Sequence, residues 1–216
     1  MAVPLGLEGV ILDVFSLFFL GCVVGLSGAI IPGPLLAFTV YDTSKKGRMT
    51  GHSIIFGHAL WESIIILIIL LGFGGIITQN KLLIYIIGGI ALALMGASMI
   101  RSKGDGIKME NSRVSSSLVG GVFYTAFNPT QPPWWATGGL AILLTGIETM
   151  GIIGVVIVTA GHWFSDFAYY IFVSFIVHRQ KRYINPHQKE ISVILGVFMA
   201  LLGAYFLVEG LQQLIL

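Results

Sequence analysis

Apolar residues fill this chain in long blocks, and short clusters of charged and turn-forming residues separate them. A helix that crosses a hydrocarbon core about 30 Å thick needs about 20 apolar residues. Six blocks meet that need, at about 10–40, 50–77, 81–100, 115–146, 150–177 and 190–215. The pattern predicts an all-α integral membrane protein with six transmembrane helices in a single membrane domain, residues 1–216. Composition agrees: the chain is 56% hydrophobic and 10% charged, with a mean hydropathy of +0.91, values outside the range of a soluble globular domain. Between Met1 and Leu12 there is Glu8 and no Lys or Arg, so the first block reads as a retained helix and not as a signal peptide.

Two blocks are interrupted. The first contains Gly28-Ala29-Ile30-Ile31-Pro32-Gly33-Pro34, and the fourth contains Asn128-Pro129-Thr130-Gln131-Pro132-Pro133. Proline removes a backbone donor and its ring clashes with the preceding turn, so both helices are expected to break there. Within lipid, broken backbone is tolerated only where protein or a water-filled cavity surrounds it. Both breaks are therefore expected in the interior, where half-helix N-termini suit carboxylates and bare carbonyls suit cations. Asn128 adds a side chain that both donates and accepts.

Charge sets the orientation. Lys and Arg concentrate on the cytoplasmic side of a membrane. Of the 12 basic residues, all but Lys81 fall in the first, third and fifth connections: Lys45, Lys46 and Arg48; Arg101, Lys103, Lys108 and Arg113; Arg179, Lys181, Arg182 and Lys189. Those connections share one face, so both termini are expected outside. The longest polar connection, about 101–115, separates a first half at about 10–100 from a second at about 116–215. With three helices each, the halves predict inverted repeats, as in many secondary transporters. Three internal matches run in the same order: the two breaks; Gly57-His58-Ala59-Leu60-Trp61-Glu62 with Gly161-His162-Trp163-Phe164-Ser165-Asp166; and Gly89, Ala93, Gly96 with Gly196, Ala200, Gly203.

The Gly-His-x-x-x-acid pair is the most informative polar feature. Residues four apart share a helix face, so His58 can meet Glu62 and His162 can meet Asp166. At 1.5 Å of rise per residue, His58 lies about 14 Å and His162 roughly 18 Å from the nearer helix end, close to the middle of the core. Carboxylates at that depth mark substrate, ion or proton pathways. These four residues are candidates for proton coupling or for binding a substrate ammonium. The alternative is a divalent metal cation exporter, with His58, Glu62, His162 and Asp166 forming a mixed nitrogen and oxygen site. Trp134 and Trp135 are expected to anchor at an interface or to pack beside the second break. The glycine matches predict close helix packing. Cys22, the single cysteine, excludes an internal disulfide and reads as a small apolar residue. No nucleophile with a base at usable spacing and no phosphate-binding loop is present, so no enzyme activity and no cofactor are expected. The expected partners are a small molecule and membrane lipids, with no nucleic acid, and the glycine- and leucine-rich helix surfaces permit a homodimer without requiring one.

Taken together, these residues resemble the LysE-type amino-acid translocator family, whose members include lysine and threonine exporters. The resemblance rests on Pro32-Gly33-Pro34, on Gly47-Arg48-x-x-Gly51 followed by Gly57, and on Asn128-Pro129, and it covers essentially the whole chain. It implies an exporter of amino acids or related small metabolites in the inner membrane of a prokaryote, coupled to the proton gradient. It also implies that Pro32, Gly33, Pro34, Asn128 and Pro129 stand at the centre of the path. Thr130 occupies a position where many members carry lysine, and the Gly-His-x-x-x-acid pair is not a general mark of the family, which points to a divergent branch.

Overall fold

The computed structural model of the chain describes residues 7–73, 81–101, 116–128 and 130–212. The expected connection at 101–115, apart from Arg101, lies outside the described residues, as do Pro129, Gly74 and Gly75. Among the described residues the regular structure is helical, without strands: α1 is Leu7–Ala29, α2 Pro34–Lys46, α3 Thr50–Ile68, α4 Lys81–Arg101, α5 Ser117–Ala126, α6 Gln131–Trp134, α7 Leu140–Arg179, α8 Lys181–Ile184 and α9 Gln188–Gln212. Single π-helical turns continue α3 over Ile69–Phe73 and join α6 to α7 over Trp135–Gly139.

Among the described residues, four stretches are long and apolar enough to cross a membrane: Gly9–Ala29, Thr50–Gly72, Gln131–Arg179 and Lys189–Gln212. Tyr85–Arg101 and Ser117–Ala126 are shorter apolar helices. The 49 residues of Gln131–Arg179 are too many for one pass, since at 1.5 Å each they would extend about 73 Å against a core of about 30 Å. They fold back at Met150 and Gly151, where Gly151 takes φ 62, the left-handed region that glycine enters without a Cβ penalty. Gly146 and Gly154 then let the two limbs meet backbone to backbone. The fourth and fifth expected helices are thus two limbs joined by this turn.

The chain divides into two compact units. One comprises Met1–Ile31 and Trp134–Tyr169; the other comprises Pro32–Pro133 and Tyr170–Leu216. In the first, α1 packs on the second limb of α7 through glycine: a Cβ on Gly21 would strike the carbonyl of Val158, and one on Gly161 would strike the carbonyl of Phe18. In the second, α3 and α5 use the same device, Gly57 against the carbonyl of Leu118 and Gly121 against the carbonyl of Ile54. Lipid tails are as apolar as leucine, so tight backbone approach replaces the hydrophobic drive between helices.

The second unit also contains α4 and α9, which meet along Gly89, Ala93 and Gly96 on one side and Gly196, Ala200 and Gly203 on the other. Leu92, Met99, Met199 and Phe206 form the buried cluster beside this seam. On α2, the Phe38 ring fills the notch at Gly120 and stacks on Tyr124 with centroids 4.6 Å apart. Lys45 and Lys46, expected in a connection, form the last turn of α2, where cations complement the helix dipole.

Candidate functional site

The first break occurs as expected. Helix α1 stops at Ala29, and α2 starts with Pro34 at its first turn, where the missing N–H costs no intrahelical bond. Gly33 precedes it with an extended backbone, φ −140 and ψ −171, and both Gly33 and Pro34 are buried. The second break opens after α5. Asn128 N–H donates to Thr125 O (3.0 Å), while the Asn128 side-chain Oδ1 accepts from the Thr130 N–H (3.2 Å) and from the Thr130 hydroxyl (2.9 Å). This Asx-type turn starts α6 and commits Oδ1 to the local fold.

Within the second unit the two breaks meet. A Cβ placed on Gly33 would lie 3.5 Å from Asn128 Nδ2 and 3.7 Å from its Oδ1. Gly33 and Asn128, read from segments far apart in the chain, thus face each other. Pro129 lies outside the described residues.

In the same unit, His58 Nε2 is 3.2 Å from Glu62 Oε2, and the Glu62 side chain is only 1% exposed. On its other side, His58 Nδ1 lies 2.9 Å from the Thr125 hydroxyl, which itself donates to Gly121 O at 2.7 Å. Tyr170 packs near the imidazole, with ring centroids 6.3 Å apart.

The first unit holds the other pair: His162 Nε2 is 3.3 Å from Asp166 Oδ2, and both side chains are 3% exposed. Its surroundings differ. The Trp134 ring stacks on the imidazole at 4.9 Å and 20°, and Trp135 meets it edge-on at 5.5 Å and 89°. Trp135 is 1% exposed and therefore does not anchor at an interface. The i,i+4 spacing brings each histidine to its own acid, as expected.

Several polar contacts had no signal in the expected motifs. Thr125 and the His162 stack are two of them. Another is buried Asp42, which pairs with Lys46 (2.8 Å) and accepts from Ser117 (2.7 Å). A further one is Ser174, whose hydroxyl accepts from Gly51 N–H (3.1 Å), donates to Arg48 O (3.0 Å) and meets Thr43 Oγ1 (2.9 Å).

The family model of the LysE type translocator matches residues 26–210, a span that includes both breaks and both histidine pairs. The chain belongs to the LysE type translocator family. No curated protein and no solved structure matches it. As a LysE type translocator with membrane-length apolar helices, it is a multi-pass membrane transporter and not an enzyme, working on a small molecule among lipids. The signature around Gly47 has a physical basis here. Gly47 has φ 104 and closes α2 by donating to Thr43 O (2.9 Å), whereas Gly51 leaves room for Ser174 and Gly57 for the backbone of α5.

Proposed function

We propose that this translocator is a secondary exporter of amino acids or related small zwitterions, driven by protons, in the cytoplasmic membrane of a prokaryote. The observation that carries the reading is the meeting of Gly33 with the Asn128 amide. Helix α2 begins at this place, and its positive N-terminal end favours a carboxylate. Because Thr130 occupies Asn128 Oδ1, the amide N–H groups are the donors left for a ligand. The path residues in this reading are Pro32, Gly33, Pro34, Asn128 and Pro129, with His58, Glu62, His162 and Asp166 binding protons or the substrate ammonium.

Transport proceeds by alternating access between two inverted three-helix repeats, about 10–100 and 116–215, with both termini outside. Support comes from contacts that recur within each unit. Gly21 and Gly161 receive Val158 and Phe18 in one; Gly121 and Gly57 receive Ile54 and Leu118 in the other, at matching positions of the two halves. The carrier turns over only if substrate is held with similar free energy in both states, since a ligand shifts an equilibrium by its difference in affinity.

The test is a panel of amino acids, Mn²⁺ and Zn²⁺ in proteoliposomes under an imposed pH gradient. Accumulation of an amino acid that collapses with a protonophore is the expected result. Metal uptake with no amino-acid uptake would replace this reading with the metal exporter, in which the four His and acid residues are the ligands.

A further inference from the structure

We propose that Thr125 is a positioning residue that fixes the tautomer of His58, so that the His58–Glu62 contact closes only with an extra proton aboard. The inference rests on the proton-driven reading above and adds to it the residue that sets the proton count.

The argument is a count of hydrogens. A threonine hydroxyl has one hydrogen, and a backbone carbonyl only accepts. Thr125 Oγ1 is 2.7 Å from Gly121 O, so its hydrogen goes there. The 2.9 Å contact between the same oxygen and His58 Nδ1 is then a bond in which Nδ1–H donates. Thr125 is fully buried and His58 is 5% exposed, so no bulk solvent competes for either atom.

With the hydrogen fixed on Nδ1, neutral His58 presents a bare Nε2 lone pair to Glu62 Oε2, 3.2 Å away. A carboxylate and a lone pair are both acceptors and repel at that distance. The contact is favourable only when one proton lies between them, on Nε2 as an imidazolium or on Oε2 as a carboxylic acid. The proton enters the pair from water, no bond between heavy atoms changes, and the protonated pair is neutral overall. When the proton leaves, a buried carboxylate faces a lone pair and the contact opens.

The other tautomer would behave differently. Nε2–H would donate to the Glu62 carboxylate with no added proton, and the pair would close whether or not a proton had been taken up. Thr125 excludes that state by engaging Nδ1. The matching place on α1 is Gly25, where an added Cβ would stand 2.5 Å from His162 Nδ1, so the first unit has no room for a hydroxyl side chain beside its histidine. The two histidine–acid pairs therefore share a motif and differ in what sets their protons.

Solid-state NMR of the full-length protein in lipid bilayers, with isotope-labelled histidine, tests this directly. The His58 signals are assigned by difference from His58→Gln. Wild type and Thr125→Ser should show hydrogen on Nδ1; Thr125→Val, which keeps the shape and removes the hydroxyl, should shift His58 toward Nε2–H. In proteoliposomes, Thr125→Ser should retain pH-driven accumulation of a labelled amino-acid mixture and Thr125→Val should lose most of it. A wild-type spectrum with bare Nδ1, or a Thr125→Val spectrum identical to wild type, overturns the proposal. The wild-type spectrum decides even if Thr125→Val does not accumulate in cells. If wild type shows Nδ1–H, Thr125→Val changes it, and neither protein responds to a pH gradient, the tautomer assignment stands and the proton-driven reading falls.

Discussion

Two glycines of the second unit, Gly33 and Gly121, have opposite reasons for lacking a side chain, and alanine at each separates fold from site. At Gly121 a Cβ would lie on the carbonyl oxygen of Ile54, 2.8 Å from its carbon and 3.0 Å from its Cα, all backbone atoms of a packed helix. Relieving that to ordinary contact requires α3 and α5 to move apart, and inserting a methyl group into a packed core costs about 1–3 kcal/mol. One turn further along α5, the same separation stretches the 2.9 Å His58–Thr125 bond past its limit. An unsatisfied buried imidazole N–H adds about 1–3 kcal/mol. Gly121→Ala should therefore destabilise by about 2–6 kcal/mol and lower the unfolding midpoint by roughly 5 °C or more. At Gly33 the nearest atom to a Cβ is 3.5 Å away, on the Asn128 amide, and the extended backbone is open to any residue. Gly33→Ala should leave the midpoint within about 1 °C of wild type, because no packed atom moves. The added methyl group nevertheless occupies space between the two breaks. If a substrate group sits there, its displacement costs about 1–3 kcal/mol, or roughly fivefold or more in transport rate at limiting substrate. Thermal unfolding in lipid nanodiscs and initial rates in proteoliposomes measure the two effects. Gly33→Ala that unfolds, or that transports at the wild-type rate, refutes the assignment of this glycine to the site.

Glu62→Gln keeps a hydrogen-bonding partner for His58 but not an exchangeable acid. It should alter stability by about 1 kcal/mol or less, preserve substrate exchange and abolish uphill accumulation, with retained accumulation counting against a coupling role. Ser174→Ala removes the acceptor for Gly51 N–H and the partner of Thr43, and should cost about 1–3 kcal/mol in chemical denaturation; no change would mean that the knot at the start of α3 is dispensable. Trp134→Leu keeps apolar bulk and loses the face stacked on His162, a loss of about 0.5–1.5 kcal/mol that Trp134→Phe should largely restore. Gly151→Ala meets nothing in space but places a Cβ at φ 62 and ψ −142, backbone that is close to glycine-only, so a cost of about 1–3 kcal/mol, with the α7 turn intact, is expected from the midpoint of thermal unfolding.

The sequence carried the all-helical class and the places where proline interrupts it, because apolar content and proline act locally, whereas the six expected spans appear among the described residues as four membrane-length stretches and two shorter apolar helices. Pro32 and Pro34 end one helix and start the next wherever the rest of the chain lies. The i,i+4 spacing likewise made the His58–Glu62 and His162–Asp166 contacts legible, since helix geometry alone enforces them. Partners from distant segments were not legible. Nothing local to His162 calls for the stacked Trp134 ring, and nothing local to Gly51 calls for the Ser174 hydroxyl. The Trp134-Trp135 pair fits a membrane-interface belt on composition alone, and only packing distinguishes that role from a buried one.

The glycines join these two levels. Gly57 and Gly161 precede their histidines by one residue, and each is where its helix touches the backbone of a neighbour. A helix face turns by about 100° per residue, so a residue next to the contact point lies at the edge of the same seam. That position buries His58 and His162 against the neighbouring helix and leaves the identity of the facing residue to the neighbour. On α5 that residue is Thr125; on α1 it is Gly25, with the ring itself filling the gap. The Gly-His-x-x-x-acid motif thus specifies a buried imidazole at a helix seam, and the chemistry of that imidazole is written in its neighbours: the Thr125 hydroxyl beside His58, and the Trp134 and Trp135 rings beside His162, where Gly25 leaves the space.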